Sequence, residues 1–348
     1  MVKLKSALIG LALAVAASSM AFAAAPEPYK VSQDLIDAAN KEGAVVFYTS
    51  TDVAVAEAVS KAFQAKYPAI KVQVERSGSE RIFQRIGQEY TSGVFNGDVI
   101  ETSDAVHFLM FKAQGWLTPA VPEDVAKLWP AAQKDPDGQF AAYRAHLSVL
   151  AYRTDQVKPE DAPKTWIDLL DPKYKGKMVK AHPGYSGTIM TSTFALSQLL
   201  GWDYFQKLGQ QGVLQVQSST EPPKTLAQGE RAIEADGNEY NIFRLQEKGT
   251  PIAIVYPTEG TPIAIGDCGI LSKPPHPNAA KLFYAYLFSQ EAQQLNSDTG
   301  GLRSFRPDVK EKAGRKPLSE IKLLFSDPAK VQEQVDDIKK KYEQFFGT

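Results

Sequence analysis

Three consecutive units of apolar run, polar loop and amphipathic segment constrain this chain more than any other feature. Ala44-Val45-Val46-Phe47-Tyr48 is nearly unbroken in hydrophobicity, the pattern of a strand covered on both faces in a parallel sheet. It empties into Thr49-Ser50-Thr51-Asp52, and a helical pattern follows from Ala54 to Tyr67, with Val55, Val59 and Phe63 on one face. Val72-Gln73-Val74 repeats the scheme through Arg76-Ser77-Gly78-Ser79 into a helix carrying Ile82, Ile86 and Tyr90. Asp98-Val99-Ile100 repeats it again through Glu101-Thr102-Ser103-Asp104 into Val106, Leu109 and Met110, stopping at Gly115. Such a series predicts a doubly wound α/β domain. Ligands bind such sheets beyond the carboxyl ends of the strands, so loops 49–52, 77–79 and 102–104 are candidate contact sites.

Trp116 to Pro136 is proline-rich and reads as surface loop. Phe140 to Tyr152 alternates and then runs apolar, with an unusual polar insertion at Arg144-Ala145-His146; a domain crossing is expected here. A second α/β unit follows between about 150 and 262. Leu214-Gln215-Val216, Arg231 to Ala235 and Ile252 to Tyr256 are its later strand candidates, and Asp236-Gly237-Asn238 is expected as loop. Pro257 to Thr261 crosses back, Ile265 to Leu271 is a strand, and Leu318 to Phe346 reads as a helical tail with Val331, Val335, Ile338 and Tyr342 on its apolar face. The expected divisions are 1–23, 24–145, 146–262 and 263–348. Two small parallel sheets joined by two crossings imply a hinge around a cleft, where loops 186–188, 218–220 and 238–240 face the first three.

The stretch from Thr165 to Gly201 holds a short helix (Trp166, Leu169, Leu170), a strand at Lys177-Met178-Val179, and a break at Pro183-Gly184. From Ser186 a Ser/Thr-rich and then apolar helical pattern begins. A Ser-Gly-Thr opening a helix presents free backbone N–H groups, which favour a carboxylate, phosphate or phosphonate. It also fits a plain N-cap.

Composition narrows the function class. The chain has 348 residues, 43% hydrophobic and 23% charged, as expected of a globular protein with room for two domains. Lys3 and Lys5 precede the apolar run Ala7 to Ala17 and then Ala21-Phe22-Ala23, the layout of a secretory signal cleaved after about Ala23. No cysteine follows the cut, so a lipid anchor there is not expected. Without Lys3 and Lys5 the 39 basic side chains become 37 against 40 acidic ones, a formal charge of −3 with no basic stripe; nucleic acid is not an expected partner. Cys268 is the single cysteine, in an apolar stretch, and reads as a buried structural thiol. Enzymatic motifs fall short. Gly184-Tyr185-Ser186-Gly187-Thr188 lacks the last glycine of a nucleophile elbow, and Lys175-Gly176-Lys177-Met178 lacks the hydroxyl of a phosphate-binding loop. His107, His146, His182 and His276 show no zinc spacing.

The series FYTSTD, GDVIETSD, AQGWLTP, KTWIDLLDPKYKGKMV, PGYSGT, NEYNIF and AAKLFYAYLFSQEAQQLNSDTGGLRSFRPDV resembles the extracellular solute-binding proteins of ABC importers. It is most similar to the branch with ferric-ion, thiamine and 2-aminoethylphosphonate binders. The resemblance implies a type II periplasmic binding fold that closes on a small molecule, acts as a monomer in the periplasm, and delivers its cargo to an inner-membrane permease. Iron in the ferric-binding relatives is held by a His, a Glu and a Tyr pair, and those positions fall on Asp52, Ser103, Glu239 and Tyr240. Asp52, Glu239 and Tyr240 remain oxygen ligands for a ferric ion. Ser186-Gly187-Thr188 matches the loop with which those relatives hold a synergistic anion, and Ser219 falls where they use an Asn. The expected cargo is therefore a small organic solute with an anionic head at Ser186–Thr188, without a cofactor. Asp52 or Glu239 receives an amine or hydroxyls, Tyr48 and Tyr240 pack on the ligand body, and Ser50, Thr51 and Ser103 line the same cleft. N-capping or a salt bridge is the alternative role for Asp52 and Glu239. Ferric iron or thiamine is the alternative cargo.

Overall fold

Two long strands at the centre of the sheet decide the architecture. The computed structural model describes residues 25–348, and the expected leader lies outside the described residues. The strands are β1 (Ala44–Thr49), β2 (Lys71–Arg76), β3 (Val99–Thr102), β4 (Leu117–Thr118), β5 (Phe140–Arg153), β6 (Met178–Ala181), β7 (Leu214–Val216), β8 (Ile233–Asn238), β9 (Ile252–Val255), β10 (Thr261–Leu271) and β11 (Leu323–Leu324). The helices of the first half are α1 (Gln33–Glu42), α2 (Val53–Lys66), α3 (Ser79–Ser92), α4 (Ala105–Ala113) and α5 (Glu123–Leu128). Those that follow are α6 (Gly187–Leu200), α7 (Trp202–Gly209), α8 (Glu221–Ala227), α9 (Glu239–Glu247), α10 (Pro277–Leu287), α11 (Gln290–Leu295) and α12 (Pro328–Phe346).

Strand order is β2-β1-β3-β10-β5-β8-β6-β7. β2, β1 and β3 are mutually parallel, as are β8, β6 and β7. Between them β10 and β5 run antiparallel to each other and to their outer neighbours. The two small parallel sheets of the sequence reading are thus fused through an antiparallel pair. β5 spends residues 140–147 on β10 and residues 148–153 on β8 and β9, so one strand serves both lobes. The fold is that of type II periplasmic binding proteins.

Local chemistry explains the helix starts beside the cleft. Asp52 and Asp104 each accept a backbone N–H two residues on (Ala54 and Val106), capping α2 and α4 where strands β1 and β3 run out. A first core, with Phe47, Val59, Phe63, Phe283 and Phe288, fills the lobe of β1–β3. A second, with Trp166, Met178, Leu196, Phe205 and Tyr342, fills the other. Cys268 is buried in the first core, and burial raises its thiol pKa.

Three readings need correction. Trp116–Pro136 carries β4 and α5, because Val125 and Trp129 are apolar enough to join the first core. β8 continues through Asp236-Gly237-Asn238, since pairing of Gly237 and Asn238 with β5 holds those polar residues extended. The helical tail starts late. Ile321 packs in one cluster and Leu324 against the second core, and α12 begins only at Pro328, where Asp327 caps it. Among the described residues no helix is long and apolar enough to cross a membrane.

Candidate functional site

Six strand ends converge on one small, partly enclosed chamber between the lobes. Its walls come from Ser50, Ser79, Ser103 and Arg76 on one side and Ser186, Thr188, Ser218, Ser219, Thr220, Asn238 and Tyr240 on the other, with Arg144 of β5 in the floor. The chamber volume is about 10 Å³, on the order of one water-sized group. Each of the six loops singled out in the sequence supplies at least one wall residue.

The floor is a fixed charge pair. Arg144 sits 2.9 Å from Glu101, both almost wholly buried. Glu101 also accepts from the hydroxyls of Thr49 (2.6 Å) and Thr51 (3.0 Å). Arg144 in turn donates to Ser50 Oγ at 3.3 Å and to His146 Nδ1 at 3.1 Å. Burial, and after it the charge of Arg144, pushes the His146 pKa well below its ordinary value, so the ring is neutral. An arginine only donates. Nδ1 is therefore the acceptor, Nε2 carries the hydrogen, and it donates to Thr188 Oγ1 at 2.7 Å. The hydroxyl hydrogen of Thr188 is left for a guest.

The same logic applies around the wall. Ser50 Oγ accepts from Arg144 and from the Ser103 N–H (2.9 Å). Ser79 Oγ accepts from the Gly187 N–H (2.9 Å), and Ser219 Oγ from Asn238 Nδ2 (3.1 Å). Four hydroxyls whose oxygens already accept a protein hydrogen bond are left as donors. Arg76 adds a guanidinium with no carboxylate within salt-bridge distance among the described residues; its Nε donates to the Thr51 carbonyl at 3.3 Å. Asn238 Oδ1 is buried without a partner and supplies one acceptor. The chamber suits a compact guest with many acceptor atoms, negative charge and at most a few donors.

The family model for bacterial extracellular solute-binding proteins matches residues 58–322. The chain belongs to that family. A probable ABC transporter periplasmic-binding protein of Sinorhizobium fredii, y4fP, is 22% identical over 274 residues, 76% of this chain and 75% of the relative. Among solved structures, the periplasmic binding protein AfuA from Actinobacillus pleuropneumoniae, with fructose-6-phosphate bound, aligns with a TM-score of 0.80 and 25% identity, over 88% of this chain and 99% of AfuA. Iron-bound HitA from Pseudomonas aeruginosa aligns with a TM-score of 0.74 and 22% identity, over 86% and 99%. This solute-binding protein is thus the periplasmic binding component of an ABC importer.

Several expected ligand contacts of the solute-binding protein have other duties. The Tyr48 ring packs with Ile82 and Ile86, and its hydroxyl donates to Glu89 at 2.7 Å, away from the chamber. Thr51 is spent on Glu101. Gly187 gives its N–H to Ser79, which ties α6 to the facing lobe instead of cradling an anion. Glu239 is held by Arg303 at 2.7 Å, by Arg315, and by the Tyr256 hydroxyl at 2.5 Å, all beneath the cleft. Asp52 faces Arg244 across the cleft at 3.1 Å. Of the alternative iron set, only Tyr240 lines the chamber, and burial pushes its hydroxyl up to about 12. The carboxylates of Asp52 and Glu239 are engaged by arginines and are not among the chamber's wall residues. No cluster of three His, Cys, Asp or Glu suited to a metal occurs among the described residues.

Sequence reasoning passed over Arg76, Arg144 and His146 as contacts. Their signal was present: Arg144 and His146 are the polar insertion in an otherwise apolar strand, and Arg76 is the last residue of β2.

Proposed function

We propose that this protein captures a small organic solute by an oxyanion head, a phosphate monoester or a phosphonate, and delivers it to an inner-membrane permease. The observation that carries this reading is the set of hydroxyls at Ser50, Ser79, Thr188 and Ser219, each held as a donor by a protein hydrogen bond to its own oxygen. Ser103 and Ser186 complete the ring, and Arg76 and Arg144 supply the charge. Preset donors cost no reorientation when the guest arrives, so their interaction with an oxyanion is retained as affinity. The fructose-6-phosphate bound in AfuA is of the same chemical class.

In this reading residues 24–145 and the return from 263 form one lobe and 146–262 the other, the C-terminal helix α12 packs on both, and β5 and β10 flex as the hinge of a monomer. Chamber contacts from both lobes exist together only when the cleft is shut, so a bound solute shifts the population toward closure. The leader expected at residues 1–23 directs the protein to the periplasm.

The test is mass spectrometry, metal analysis and an absorbance spectrum of mature protein purified without refolding. Release of a phosphorus-containing organic anion from colourless protein is expected. A visible tyrosinate-to-iron band with stoichiometric iron would instead establish ferric cargo and overturn the oxyanion reading.

A further inference from the structure

The chamber does not end at its own wall. Arg76, Gly78, Tyr185 and Ser218 also line a second cavity of about 170 Å³, which extends outward between the lobes to Arg81, Gln217 and Glu221. The inner volume of about 10 Å³ leaves no room for the body of an ester, and the lobes must part slightly even for its head, so the body must lie in this outer space.

The vestibule is equipped for hydrogen bonding. Arg81, on α3 of one lobe, donates to Gln217 Oε1 of the other at 2.5 Å, and has no carboxylate within salt-bridge distance among the described residues. Glu221 uses Oε2 to accept the backbone N–H groups of Gln217 (2.9 Å) and Ser218 (3.4 Å). Its Oε1 accepts nothing among the described residues. Tyr185 is 44% exposed at the junction of the two cavities, its ring tilted against that of His182 at 5.4 Å. A cationic donor, a free carboxylate acceptor and an aromatic face within one half-open space match neighbouring hydroxyl groups on a carbon chain, which donate to one partner and accept from the other. An alkyl tail leaves Arg81 and Glu221 without gain.

We infer that the space between Arg81, Glu221 and Tyr185 is a second subsite that selects a hydroxyl-bearing tail on the phosphorylated solute. The inference rests on the oxyanion reading of the chamber.

Calorimetric titration of the full mature protein with inorganic phosphate, n-propyl phosphate and glycerol 3-phosphate separates the two claims, because the last two differ only in two hydroxyls. Wild-type protein is expected to bind glycerol 3-phosphate about tenfold or more tighter than n-propyl phosphate, as two hydrogen bonds to charged groups predict. Arg81→Ala with Glu221→Gln should abolish that preference and leave inorganic phosphate affinity within about twofold; Gln at 221 retains an oxygen for the two backbone N–H groups. Equal affinity for the two esters in wild-type protein, or equal loss for all three ligands in the variant, overturns the subsite and leaves the chamber standing. Failure of wild-type protein to bind any of the three overturns the chamber, and the subsite with it.

Discussion

Replacing Gly187 by alanine separates folding from closure. Gly187 is the first residue of α6, and a Cβ built there lies 2.2 Å from the Asp104 Cβ and 2.7 Å from its Oδ2. Carbon atoms rest at about 3.5–4 Å, so the pair must separate by roughly 1.5 Å. Asp104 cannot swing aside cheaply: its Oδ1 accepts the Val106 N–H at 3.0 Å, and its Oδ2 stands 3.6 Å from His107. The strain is relieved by opening the cleft, which also breaks the Gly187 N–H to Ser79 bond. Overpacking costs about 1–3 kcal/mol and the hydrogen bond about 1 kcal/mol, both charged to the closed form alone. Glycerol 3-phosphate should therefore bind roughly thirty- to several-hundred-fold more weakly by calorimetry. The open form has no such clash, and a glycine-to-alanine change in a helix favours it by up to about 1 kcal/mol. The ligand-free melting temperature should stay level or rise, while small-angle scattering shows a larger radius of gyration with ligand present. A ligand-free melt that falls in step with affinity would show that α4 and α6 belong to one rigid unit and refute the hinge argument.

Asp52→Asn removes the ion pair with Arg244 across the cleft; both side chains are partly exposed, so a loss of about 1 kcal/mol, near fivefold in affinity and shrinking with added salt, is expected in titrations at two ionic strengths. Glu239→Gln leaves the buried guanidiniums of Arg303 and Arg315 short of a counter-charge, and denaturant melts should show a loss of about 3 kcal/mol or more; affinity of the remaining folded protein should be unchanged, and a variant of normal stability that no longer binds would return Glu239 to the ligand. Burial, then the nearby Glu101, raises Asp267 to about 8, so between its ordinary value and that point the folded chain holds a proton that the unfolded chain has lost. Stability accordingly falls as pH rises, by roughly 2 kcal/mol from pH 6.5 to 8; thermal melts at the two pH values should differ less in Asp267→Asn, and an equal slope in the variant would disprove the assignment.

Much of the architecture was legible because burial on both faces of a parallel strand leaves an unbroken apolar word, as at Ala44–Tyr48, and the polar loop after it marks the carboxyl edge. Direction along the sheet was less so. β5 and β10 are antiparallel and carry both lobes, yet a long strand shared by two sheets has no composition of its own beyond the Arg144-Ala145-His146 insertion. Loops 186–188 and 218–220 were visible as runs of hydroxyls before helices. Which hydroxyl donates was not, because it depends on partners such as Arg144 and Asn238 that reach the wall from other strands. Glu239 shows the limit most clearly. Its carboxylate looks free for a ligand until Arg303 and Arg315, more than sixty residues away, close on it. Tyr48 was misplaced for a simpler reason: along a strand alternate side chains face opposite sides, and Tyr48 takes the side that packs against α3.

The last helix also bears on the order in which the molecule can be assembled. α12 lays Val331 and Ile338 against Val106 of one lobe and Met190 and Phe194 of the other, and Tyr342 completes the second core. A chain that emerges N-terminus first therefore presents α4 and α6 with an uncovered apolar seam until residues 328–346 arrive. β10, the neighbour that β3 and β5 both require, is equally late. Neither lobe is finished on its own. The native state is sealed from its far end, and the interval before that seal is when the protein is most exposed to aggregation and most in need of being shielded.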